Sequence, residues 1–157
     1  MKSACLVDTS QLVPATSIIG DDEKDTTLLR EMAAQAKTFL CSQRWCDGIE
    51  DQYFGGGVGG VVAVFLCLIS SLSEDIDNCL WVIVGDLPPA YIVTEDNPNP
   101  ASALEAYIGE MMDWVTAIEK GESIEELIPV NAPPTIEYAK QLRSRLEFLL
   151  IEILPSI

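Results

Sequence analysis

The run FGGGVGGVVAVFLCLI, Phe54 to Ile69, limits the possible folds more than any other part of the chain. It can be a membrane helix, a phosphate-binding loop, or a buried strand with a glycine entry. From Gln52 to Ser73 there is no charged residue, long enough by count for a span. Gly55 and Gly59 also fit the small-xxx-small spacing of packed membrane helices. The dense apolar part, however, is only Val61 to Ile69. As a helix it covers roughly 13 Å, against a hydrocarbon core of about 30 Å. Both flanks are acidic, with no Lys or Arg to orient a span. No membrane segment is therefore expected.

Gly55, Gly57 and Gly60 match the G-x-G-x-x-G pattern of dinucleotide-binding proteins. That pattern works only when it leaves a strand and opens a helix. Here CDGIEDQYF precedes it and a β-branched run follows, and no Lys-Ser/Thr pair supplies a Walker loop. The third reading fits best. Val61–Ile69 is a buried strand, led in by a flexible hinge of Gly55, Gly56, Gly57, Gly59 and Gly60. Its partner is CLWVIVGD, across the acidic connection SLSEDIDN. Pro88 and Pro89 are expected to break that second strand, and AYIVT can add a third short one.

Helices flank these strands. Leu29, Met32, Ala33, Ala36, Phe39 and Leu40 recur at three and four, so a helix runs from about Thr26 to Trp45. Asn99 and Pro100 open another helix, and Gly121 closes it. Its stripe is Leu104, Ile108, Met111, Trp114 (or Val115) and Ile118. Ser123 and Glu126 have capping-box spacing and predict a short helical turn. Thr135 caps a last helix, with Ile136, Ala139, Leu142, Leu146, Leu149 and Ile153 inward. The expected architecture is α+β: a small antiparallel β-sheet of about three strands covered by three main helices. Residues 1–22 read as an irregular N-terminal arm, and 23–157 as a single α+β domain.

The charge distribution narrows function. The formal net charge is −16, and no histidine is present. Between Arg44 and Lys120 there is no basic residue but there are thirteen carboxylates. Such a chain is not suited to nucleic acid, whose phosphates need Lys and Arg, nor to an anionic membrane surface. It suits a soluble chain with a charged surface, or one that meets a basic protein partner. Five cysteines at Cys5, Cys41, Cys46, Cys67 and Cys79 show no zinc spacing. Cys67 and Cys79 sit in apolar runs and read as small core residues. No metal and no cofactor is expected. The N-terminal segment lacks a long apolar core of signal-peptide type, so a cytoplasmic, reducing location is the default. The sequence carries no signature of a particular oligomeric state.

The stretch LWVIVGDLPPAYIV, followed by a helix that opens at Pro and carries Trp114, resembles a group of small bacterial proteins of unknown function. They share a Trp-Val-Ile-x-Gly-Asp-Leu-Pro strand end and a Tyr-Ile just after it. The matching positions are Trp81, Val82, Ile83, Gly85, Asp86, Leu87, Pro88, Tyr91, Ile92, Pro100 and Ala103. The chain departs from the pattern at Pro89-Ala90, where a polar pair including an acid would stand. The resemblance implies a strand–turn–helix arrangement and a bacterial source, and it implies no activity.

Two function classes follow. The first is a non-catalytic acidic interaction protein that binds and neutralises a basic protein, as bacterial immunity proteins do. Its candidate contact residues are Trp81, Asp86, Tyr91, Glu74, Asp75, Asp77, Glu95 and Asp96. The second is a small-ligand binder or enzyme using the strand-end turn around Asp86 and Tyr91. Nucleophilic catalysis lacks its commonest base, because there is no histidine, so no catalytic residue is assigned. A deep pocket holding Asp86 and Tyr91 together would favour the second class. Acidic residues gathered with aromatic ones on an exposed surface would favour the first.

Overall fold

The computed structural model describes residue 5 and residues 7–71 and 78–157. Five strands form one antiparallel meander: β1 (Val13–Pro14), β2 (Cys46–Val58), β3 (Val62–Ser71), β4 (Cys79–Gly85) and β5 (Leu87–Val93). Three helices cover the sheet: α1 (Glu23–Cys41), α2 (Pro100–Lys120) and α3 (Ile136–Phe148). One π-type turn, Leu149–Ile153, continues α3. Ser123–Ile128 forms a single turn, Leu127 N–H to Ile124 O, and no helix.

The layering explains the two apolar runs. Successive side chains of a strand point to opposite faces. Val62, Val64, Leu66, Trp81, Ile83 and Ile92 face α2 and α3. Ala63, Phe65, Cys67, Leu80, Val82 and Val84 face α1. With helices on both faces, β3 and β4 have no wet side, so neither alternates with polar residues. Each large side chain that is fully buried this way contributes about 1.5–3 kcal/mol.

The expectation of about three strands is corrected to five. The missed strands are β1 and β2, and β2 is the longest of the sheet. Its sequence CDGIEDQYFGGGV is polar and glycine-rich because most of it is in effect a border. β1 pairs only with Tyr53 and Phe54. Register shifts at three points along the β2–β3 ladder break any regular alternation. Gln52 alone in β2 is fully buried. The prolines also behave differently from expectation. Pro88 and Pro89 lie inside β5, which tolerates them because it is the last strand of the sheet.

The glycines therefore do not precede β3 as a lead-in. Gly55, Gly56 and Gly57 belong to β2, and Gly59 and Gly60 form the turn to β3. Their number reflects close approach. A Cβ on Gly55 would stand 2.6 Å from Pro100 Cγ, at the start of α2. Gly56 faces Ile157. A Cβ on Gly59 would stand 2.8 Å from Leu28 Cβ of α1. The Gly60 N–H points at Met32 Sδ, 3.4 Å away.

The helix ends follow their caps. Asn99 Oδ1 accepts the Ser102 N–H at 2.8 Å, Pro100 takes the first helical position, and Gly121 closes α2 with φ 70°. Asp22 caps α1 and Thr135 caps α3. Arg143 of α3 grips Glu119 of α2 through Nε and Nη2. Among the described residues no helix is long and apolar enough to cross a membrane. Cys5 and Cys79 form a disulfide with Cα atoms 5.6 Å apart, so Cys79 is both a core residue and a covalent tie.

Candidate functional site

β5 ends the sheet, and the open border it leaves forms one wall of a groove of about 780 Å³. Pro89, Ala90 and Tyr91 supply that wall. The end of α1 contributes Phe39 and, just beyond it, Ser42 and Gln43. Glu110 and Asp113 come from α2, and residues 126–131, from the turn after α2 onward, complete the lining. The groove is thus a joint product of a sheet border, two helices and a connection. β5, α2 and the connection follow one another along the chain, and the end of α1 joins them from a distant part of the sequence.

Local packing fixes the floor. The Tyr91 ring meets Trp45 edge-on with centroids 5.2 Å apart, and Phe39 at 6.5 Å. Below it, the buried Tyr107 hydroxyl donates to Pro88 O at 2.6 Å, pinning β5 to α2. Gln43 turns its amide N–H groups back onto Phe39 O at 3.3 Å and Ser42 Oγ at 3.4 Å.

The electrostatics are one-signed. Among the described residues, the lining holds three carboxylates, Glu110, Asp113 and Glu126, and no Lys or Arg. Glu110 and Asp113 are three apart on one helix and so share a flank. Partial burial pushes the Glu110 carboxyl above its ordinary range, and the neighbouring Asp113 charge adds to the push.

The residues singled out from sequence are dispersed. Tyr91 lines the groove. Asp86 does not: it sits at the β4–β5 turn, in a separate cavity of about 390 Å³ beside Gly60, Val61 and Arg145. Its carboxylate lies 3.2 Å from Arg145 Nε, and its N–H donates to Val61 O at 3.0 Å. Trp81 is fully buried in β4, its indole N–H donating to Asn97 O at 2.8 Å. Glu95 and Asp96 are exposed in the β5–α2 connection, where Asp96 has φ 64°, and neither lines the groove. Glu74, Asp75 and Asp77 lie outside the described residues. Among the described residues no group of three or more His, Cys, Asp or Glu side chains is arranged to hold a metal ion.

Sequence reasoning missed Phe39, Glu110, Asp113 and Glu126 as one site. The only local signal was the Glu110–Asp113 spacing beside the apolar stripe of α2. Nothing local indicates that β5 and residues 126–131 lie opposite. No family model, curated protein or solved structure matches the chain.

Proposed function

We propose that the chain is a non-catalytic acidic interaction protein that binds a basic protein partner in the β5 groove, in the manner of a bacterial immunity protein. One observation carries this reading: among the described residues, the groove joins Tyr91 and Phe39 to three carboxylates and no basic residue. An aromatic floor with a one-signed rim is what a cationic segment recognises, and the net charge of −16 steers it there. The alternative, a small-ligand site around Asp86 and Tyr91, finds less support, since the two residues line different cavities and Asp86 is paired with Arg145. The bacterial source rests on the strand-end resemblance. The Cys5–Cys79 bond pulls against the expected cytoplasmic location, toward an oxidising compartment.

The test is capture from the source cell on three immobilised chains. These are the wild type, the groove variant Glu110→Gln/Asp113→Asn, and a remote control, Glu147→Gln/Glu152→Gln. Captured protein is identified by mass spectrometry and its binding remeasured after purification. The reading expects a basic protein held by wild type and control and released by salt, with the groove variant failing to hold it. Capture that ignores the groove variant, or no basic partner at all, defeats it.

A further inference from the structure

Among the described residues, the charged groups that line the groove are all carboxylates. Pro89 and Pro129 bring carbonyls but no backbone N–H. Glu110, Asp113 and Glu126 bring carboxylates that only accept when ionised. The N–H groups of Gln43 are turned onto its own loop and helix end. Beside these acceptors lies an aromatic ring held from two directions, Tyr91 between Phe39 and Trp45. Carboxylates beside an aromatic ring are complementary to a planar cation with many donors.

We infer that the groove takes an arginine side chain of its partner, with the guanidinium between the Glu110 and Asp113 carboxylates and against the Tyr91 ring. This rests on the basic-partner reading and narrows it to one anchor residue. Arginine fits on three counts. Its five N–H donors meet carboxylates that only accept. Its flat, delocalised cation stacks on aromatic faces. Its weak hydration lets it enter a groove that already desolvates Glu110 in part. A lysine ammonium has the charge but is compact, strongly hydrated and has no plane to lay on Tyr91. Because Glu110 and Asp113 are one helical turn apart, a single fork can engage both.

The experiment is an NMR titration of the full ¹⁵N-labelled chain with three capped peptides, Gly-Gly-X-Gly-Gly, where X is Arg, Lys or Gln. The Arg peptide is expected to give saturable shifts at the amides of Tyr91, Glu110 and Asp113. It should bind about fivefold more tightly than the Lys peptide, the scale of an exposed cation–π contact. The Gln peptide should leave those amides in place. Glu110→Gln/Asp113→Asn should abolish the effect. Tyr91→Leu should bring Arg down to the Lys level, and Tyr91→Phe, which keeps the ring, should keep the preference. If Arg and Lys bind equally and both are lost in the double variant, the arginine inference falls while the basic-partner reading stands. If neither basic peptide shifts the groove amides, both fall. The Arg–Lys comparison on wild type needs no variant to fold.

Discussion

The Asp25 carboxylate joins the Gly59 turn to helix α1. Oδ1 accepts the Gly59 N–H at 2.7 Å, while Oδ2 accepts the Asp21 N–H at 2.9 Å. One side chain in the first turn of α1 thus satisfies two backbone donors from segments on either side of it, and its charge also suits the helix N-terminus. Asp25→Ala leaves both donors without this partner and is expected to cost about 1–3 kcal/mol. Asp25→Asn keeps one acceptor oxygen and should cost less. Urea unfolding measures the loss, and hydrogen exchange at the Gly59 amide should quicken in both variants.

Two glycines should respond to alanine with opposite signs. At Gly57, with φ 152°, a Cβ would stand 2.3 Å from Val62 O and 2.7 Å from Ala63 Cα. Gly57→Ala is expected to destabilise by about 1–3 kcal/mol, through overpacking and backbone strain. Gly109 lies within α2, exposed, with nothing within 4 Å of its Cβ position. Gly109→Ala should stabilise by about 0.4–1 kcal/mol, because it restricts the unfolded chain and favours the helix. Thermal unfolding of the two variants side by side checks the sign.

Glu110 predicts a pH dependence. Burial and Asp113 raise its folded pKa above the unfolded value, so the folded chain holds this proton more tightly. Its ionisation therefore weakens the fold as pH rises through the folded pKa. The weakening is fully present above that pKa and absent below the unfolded one. Glu110→Gln should then be more stable than wild type at neutral pH, with the advantage disappearing as pH falls through the carboxylate range. An advantage that persists at acid pH would assign the effect to something other than charge.

The Cys5–Cys79 bond links residues 74 apart in sequence. Its reduction releases a long loop in the unfolded chain and is expected to cost about 2–5 kcal/mol. Melting with and without dithiothreitol should show the drop, and Cys5→Ser should reproduce it without reductant. Cys41→Ser, at an exposed free thiol, should leave the melting temperature unchanged.

What could be read from the sequence was what local chemistry determines. Asn99, Pro100 and Gly121 bound α2 because capping and backbone conformation act within a few residues. The apolar content of β3 and β4 could be read because both faces of the sheet are covered. β2 could not, since its half-exposed, bulged course leaves neither alternation nor a continuous apolar run. The disulfide was missed because an odd cysteine count does not say which pair meets. The groove was missed because it exists only once β5, α2 and residues 126–131 have come together. Tyr91 was singled out from sequence for its nearness to Asp86 along the chain. In space its company is Trp45 and Phe39.

The order of the meander also bears on how the chain is made. From β2 to β5 each strand pairs with the next one along the chain, so these four can close hairpin by hairpin, while β1 waits across α1 for Tyr53 and Phe54. α1 precedes β2 to β5 and is available to cover one face as they form. α2 and α3 follow the last strand. During synthesis Val62, Val64, Leu66, Trp81 and Ile83 therefore stand bare on the second face until α2 and α3 leave the ribosome. That interval is when the nascent protein is most open to aggregation and most in need of a chaperone.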